Sequence, residues 1–209
     1  MKNKTTYYQF ILDRSGSMSD VRSATLEAFN SHIESIRKAA LKFPEQEFYA
    51  SLCTFNDAVE HPIVESRLKD FEPLNMRSYV TNGSTALLDA IGHSVHRIRT
   101  EHAKELDKGK ASVVVIIMTD GMENASRLYS FPEISRMISQ LEATDFWTFT
   151  FLGADLDAFE IGRMLNIREA NTKSFYKADM HNTLNEMSVH MESYMEEKKS
   201  GRVKKDFLQ

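Results

Sequence analysis

Val113-Val114-Val115-Ile116-Ile117-Met118 is the stretch that decides the fold. Six apolar residues follow one another without a polar break, and five of them are β-branched. A strand that faced water on one side would alternate. An unbroken run implies burial on both faces, as in the middle of a parallel sheet with helices above and below. It is also far too short to span a bilayer.

Three further segments read as strands on either side of it: Tyr7 to Leu12, Phe48 to Phe55 and Phe146 to Leu152. Apolar residues at helical spacing lie between and after them. Phe29, Ile33, Ile36 and Ala40 form one stripe, and Leu88, Ile91, Val95 and Ile98 a second. Ile134, Met137, Ile138 and Leu141 form a third, and Met180, Leu184, Met187, Met191 and Tyr194 a fourth. Strands alternating with helices predict βαβ units, and so an α/β, doubly wound, mostly parallel sheet with helices on both faces. Val59 to Ser66 follows Phe55 after only the turn Asn56-Asp57-Ala58, which permits an antiparallel hairpin and no crossover. Pro62 within it predicts one antiparallel edge strand. A short strand near Ser174-Phe175-Tyr176 carries a weaker signal.

The 209 residues suit a single domain, expected over 1–195, with a charged flexible tail over 196–209. The net charge of -4 argues against a nucleic-acid surface. The polar N-terminus offers no apolar signal region and no segment suits a membrane, so the expectation is a cytoplasmic protein. The lone cysteine, Cys53, cannot form an intrachain disulfide and reads as a buried strand residue. His93 and His96 share a helix face but have no evident third ligand, and they read as solvated.

In open α/β sheets, ligands bind beyond the carboxyl ends of the strands. Asp13-Arg14-Ser15-Gly16-Ser17 follows the first strand, and Thr119-Asp120-Gly121 follows the central run. Asn82-Gly83-Ser84-Thr85 precedes the second helix. These loops offer the carboxylates of Asp13 and Asp120 and the hydroxyls of Ser15, Ser17 and Thr85, with no histidine or cysteine. An all-oxygen set selects a hard cation, Mg²⁺ first, with Mn²⁺ or Ca²⁺ as alternatives. Gly16 and Gly83 let the backbone turn beside such an ion. Glu123 and Asn124, just beyond Gly121, are candidates for a partner-contacting rim. Asp89 reads as a surface or capping residue and Asp57 as a hairpin stabiliser.

Asp13-x-Ser15-x-Ser17, then Thr85, then Asp120-Gly121 resembles the metal-ion-dependent adhesion site of the von Willebrand factor type A (VWA) family. The match in order and spacing runs from about Tyr7 to Tyr194, with Asn-Gly-Ser where a Gly-Gly pair often precedes the threonine. The resemblance implies that Ser15, Ser17 and Thr85 contact the metal directly or through water, with Asp13 and Asp120 anchoring the shell. It implies a non-enzymatic, Mg²⁺-dependent protein-binding module. With only two carboxylates offsetting the dication, the ion should favour an Asp or Glu from a partner protein. It also permits a subunit role in an ATP-driven complex. The alternative is a metal-dependent phosphohydrolase or phosphotransferase using Asp13. Against it, Ser15 stands where haloacid-dehalogenase-like enzymes carry a second acid or threonine, and no Gly-x-x-x-x-Gly-Lys loop occurs.

Overall fold

The structure is a computed structural model that describes residues 4–200, 202 and 204–209. Six strands form one sheet: β1 (Thr5–Asp13), β2 (Glu47–Phe55), β3 (Val59–Arg67), β4 (Ala111–Thr119), β5 (Trp147–Ala154) and β6 (Thr172–Phe175). Their spatial order is β3-β2-β1-β4-β5-β6. All pairings are parallel except β2 with β3. The run that reads as a central strand is indeed β4, buried along its whole length. Pro62 lies in the edge strand β3, whose pairing with β2 slips register on both sides of Leu52.

The strands divide their side chains by parity. Tyr8, Phe10 and Leu12 of β1, with Val114, Ile116 and Met118 of β4, face one layer. That layer is α1 (Arg22–Ala40) and α6 (Met180–Lys199). Tyr7 and Ile11, with Val113, Val115 and Ile117, face the other. There α2 (Leu87–Glu101), α3 (Ala103–Leu106), α4 (Phe131–Glu142) and α5 (Ala158–Met164) cover the sheet. A central parallel strand therefore needs apolar residues at every position, as the sequence reading required. Cys53 is buried on the α2 side, and burial pushes its thiol up to about 12. Among the described residues no helix is long and apolar enough to cross a membrane.

Two segments depart from expectation. Helix α5 has too short an apolar pattern to stand out, yet Asp157 caps it by accepting from the Glu160 N–H at 3.0 Å. Residue 195, the expected end of the domain, lies inside α6, and Lys198 and Phe207 of the stretch read as a flexible tail are buried. Lys198 is buried and donates to the Thr5 carbonyl, the Thr6 hydroxyl and the Ser112 hydroxyl at 2.5, 2.6 and 2.7 Å. Phe207 is fully buried with its ring centroid 5.7 Å from that of Tyr194. Asn171 holds the segment by donating to the Lys205 carbonyl at 2.7 Å and accepting from the Phe207 N–H at 2.5 Å. This charged stretch contains one large aromatic, whose burial favours docking of the chain end.

The strand order also fixes where a ligand can enter. The chain leaves β1 toward β2 and leaves β4 toward β5, in opposite directions along the sheet. The loops after these two adjacent strands diverge and leave a crevice between them, the topological switch point. Asp13 is the last residue of β1, and Asp120 follows the last residue of β4.

Candidate metal centre at the switch point

Asp13 is fully buried at the bottom of this crevice. Its Oδ1 accepts from the Ser15 backbone N–H at 2.6 Å and its Oδ2 from the Thr119 hydroxyl at 2.5 Å. The Tyr79 hydroxyl donates to the Asp13 carbonyl at 2.5 Å, which fixes the backbone as it leaves β1. Burial raises the Asp13 carboxyl to about 6, against the pull of the bonds from Thr119 and Ser15 and with a smaller push from Asp120. A carboxylate taken this far out of water is one that a nearby cation would stabilise.

The hydroxyls gather above it. Ser15 Oγ and Ser17 Oγ are 3.0 Å apart, and Ser17 Oγ donates to Asp120 Oδ1 at 2.6 Å. Gly121 locates the third loop. A Cβ built there would stand 2.8 Å from Thr85 Oγ1 and 3.6 Å from both Asp13 Oδ2 and Ser17 Oγ. Oxygens from all three sequence segments thus surround one point, and only a residue without a side chain fits beside them. Ser15 and Thr85 are buried while Ser17 is exposed, so the cluster has a floor and an open lip.

The threonine loop is held by groups that the sequence suggested for other work. Asn124, expected on a partner-contacting rim, accepts from the Thr85 N–H through Oδ1 at 2.8 Å, and its own N–H donates to the Thr85 carbonyl at 3.0 Å. Glu123 accepts from the N–H groups of Ala125, Ser126 and Leu88 at 2.9, 2.7 and 3.0 Å. Its carboxylate is committed to this loop and the start of α2, where the helix dipole favours negative charge. Asp89 is buried and accepts from the N–H groups of Arg127, Leu128 and Tyr129, which makes it a capping residue of the same loop. Asp57 ties the β2–β3 turn to this region by accepting from the Ser84 N–H at 3.2 Å. Gly83 has φ +71°, and a Cβ there would run into the Asp57 carboxylate. Gly16 meets Gly83 backbone to backbone, its N–H donating to the Gly83 carbonyl at 3.0 Å.

Two neighbours of the site escaped the sequence reading. Thr119 precedes Asp120 at the strand end, and its position there could have suggested it. Lys177 could not have been found from local pattern. Its Nζ lies 2.6 Å from Asp120 Oδ2 and donates to the Ser17 carbonyl at 3.0 Å, from a point 160 residues downstream of Ser17.

The donor chemistry fits a hard dication. Among the described residues no group of three His, Cys, Asp or Glu side chains assembles, so hydroxyls must supply much of any cation shell here. Adjacent ligands around Mg²⁺ at roughly 2.1 Å stand about 3 Å apart, the spacing of Ser15 Oγ and Ser17 Oγ.

The family model for the von Willebrand factor type A domain matches residues 9–189. The chain belongs to that family. VWA domains are generally protein-interaction modules, some of them with metal sites. Among curated proteins none matches. Solved structures of the same fold include proximal thread matrix protein 1 from the mussel byssus with a zinc-occupied MIDAS motif. It is 14% identical with a TM-score of 0.59, over 91% of this chain and 48% of that one. A von Willebrand factor type A protein from Catenulispora acidiphila is 15% identical with a TM-score of 0.57, over 90% and 43%. The VWA domain of SpRpn10 is 11% identical with a TM-score of 0.61, over 86% and 93%. This VWA chain spans about half the length of the byssus protein.

Proposed function

We propose that this VWA domain is a divalent-metal-dependent protein-binding module. In this reading a Mg²⁺ held by Ser15, Ser17 and Thr85, with Asp13 and Asp120 anchoring the shell, recruits an Asp or Glu of a partner within a cytoplasmic protein complex. The observation that carries it is the meeting of Thr85, Asp13 and Ser17 oxygens around Gly121, with Ser15 and Asp120 bonded to Ser17. Mn²⁺ or Ca²⁺ would suit the same oxygen donors, and the byssus protein carries zinc in its own MIDAS motif.

The charge balance argues for recruitment. Two carboxylates and three neutral hydroxyls leave a dication electrophilic, and the exposed Ser17 lip leaves it reachable. A partner carboxylate would exchange for water in a charge-assisted contact. Asn124 is exposed beside Thr85 and remains a candidate contact, whereas the committed carboxylate of Glu123 supports the loop. A subunit role in an ATP-driven complex is compatible with this reading.

Catalysis by Asp13 is the less favoured reading. Both of its oxygens accept hydrogen bonds and the residue is fully buried, which suits an anchor better than a nucleophile. The test of the module is an affinity pull-down with and without chelator. Partners retained only with Mg²⁺, and lost with Asp13→Ala, support it; capture indifferent to both rejects it. Turnover of a phosphate ester abolished by Asp13→Asn would favour the enzyme.

A further inference from the structure

We infer that Lys177 is a tethered cation of the metal site, which pairs with Asp120 and competes there with the divalent ion. The inference rests on the metal-binding reading above and adds to it a residue of this chain that sets the affinity.

Asp120 has a fully buried side chain with its two oxygens in different company. Oδ1 accepts the Ser17 hydroxyl at 2.6 Å. Oδ2 faces the Lys177 ammonium 2.6 Å away. The same ammonium also donates to the Ser17 carbonyl at 3.0 Å. An uncompensated buried carboxylate is expensive, so a cation belongs at this position. The neighbouring arginines are engaged elsewhere. Arg14 pairs with Glu60 at 2.7 Å, and Arg22 donates to the carbonyls of Tyr79 and Met76.

Lys177 thus touches two residues of the proposed metal site, Ser17 and Asp120, from outside the three loops that build it. A dication and an ammonium held within a few ångströms of one carboxylate repel each other, so occupancy by one disfavours the other. A lysine suits this role better than an arginine, because a compact ammonium on a flexible stem can leave. The surroundings give it somewhere to go. Lys177 opens a 3₁₀ turn, Lys177–Asp179, that leads directly into α6, and its backbone N–H donates to Asp155 Oδ1 at 3.2 Å. Beside the turn lies a cleft of about 830 Å³ whose lining includes Asp155, Asp157 and Asp179. Release of the ammonium from Asp120 would leave it near these carboxylates.

The test is calorimetric titration of MgCl₂ and MnCl₂ into chelator-stripped full chain, comparing parent, Lys177→Met and Lys173→Met. Lys173 forms its ion pair with Glu186 and so controls for net charge. Loss of a competing, partly buried charge pair should tighten the Lys177→Met Kd by about fivefold or more, with Lys173→Met within about twofold of parent. Thermal unfolding is the second readout. Without metal, Lys177→Met should melt below the parent, and saturating Mg²⁺ should remove the difference. Saturable binding of equal or weaker affinity in Lys177→Met, or the same gain in Lys173→Met, overturns the role of Lys177 alone. Absence of saturable binding in every variant overturns it together with the metal-binding reading.

Discussion

Ser17 Oγ donates to Asp120 Oδ1 at 2.6 Å, although 103 residues separate the two. One belongs to the loop after β1 and the other to the loop after β4, and these are the strands between which the sheet reverses direction. The bond therefore spans the switch-point crevice. Each loop alone contains common turn and capping residues. Together they form a site because the sheet places β1 beside β4.

Thr119→Val should weaken that site from beneath. Valine matches the shape of threonine but removes the hydroxyl that donates to Asp13 Oδ2. A buried carboxylate that loses a donor costs about 1–3 kcal/mol, so urea denaturation without metal should show a loss of that size. Saturating Mg²⁺ should raise the midpoints of both proteins, because the cation binds the folded state, and should raise that of the variant no more than that of the parent.

Gly121→Ala should separate folding from metal binding. The new Cβ would stand 2.8 Å from Thr85 Oγ1, closer than carbon and oxygen normally approach. Thr85 must move to make room, and a misplaced ligand weakens a site that demands near-ideal geometry. Circular dichroism should remain that of the parent while calorimetric metal affinity falls by about tenfold or more.

His32 should contribute an acid-sensitive step remote from the site. It is buried between α1 and α6, with Nδ1 donating to the Leu184 carbonyl at 3.0 Å and lying 2.7 Å from Ser188 Oγ. Burial lowers it to about 4 from an ordinary value near 6.5, despite the opposing effect of the Leu184 carbonyl. The unfolded chain then binds a proton that the folded chain does not between those values. Stability contributed by neutral His32 is present above about pH 6.5 and is lost as the pH falls toward 4, by roughly 3 kcal/mol at most. The pH dependence of the denaturation midpoint over this window should flatten in His32→Gln.

Phe207→Ala should test the docked end of the chain. The ring is fully buried against Tyr194, and its removal should cost about 3 kcal/mol. Denaturation monitored by fluorescence would measure it. A change within about 0.5 kcal/mol would mean that the last residues contribute little to the fold.

Much of the architecture was readable because apolar pattern and topology are linked. The unbroken run from Val113 to Met118 required a two-sided core, and Pro62 required an edge. The three loops at the carboxyl ends were legible because such folds place ligands there. The pattern failed where side chains act at long range. Sequence does not show that Glu123, a rim candidate, also satisfies the N–H groups of Ala125, Ser126 and Leu88. Lys177 and Phe207 sit in charged surroundings, and only the fold brings one to Asp120 and the other to Tyr194.

In the proposed site, hydroxyls from separate loops share one cation. Its most direct measurement is titration of Mg²⁺ into chelator-stripped protein beside Thr85→Val, which keeps shape and removes one candidate ligand. Saturable one-to-one binding by the parent is expected, with at least about a tenfold loss in the variant. Equal affinity in the two proteins, or no saturable heat from the parent, would contradict it.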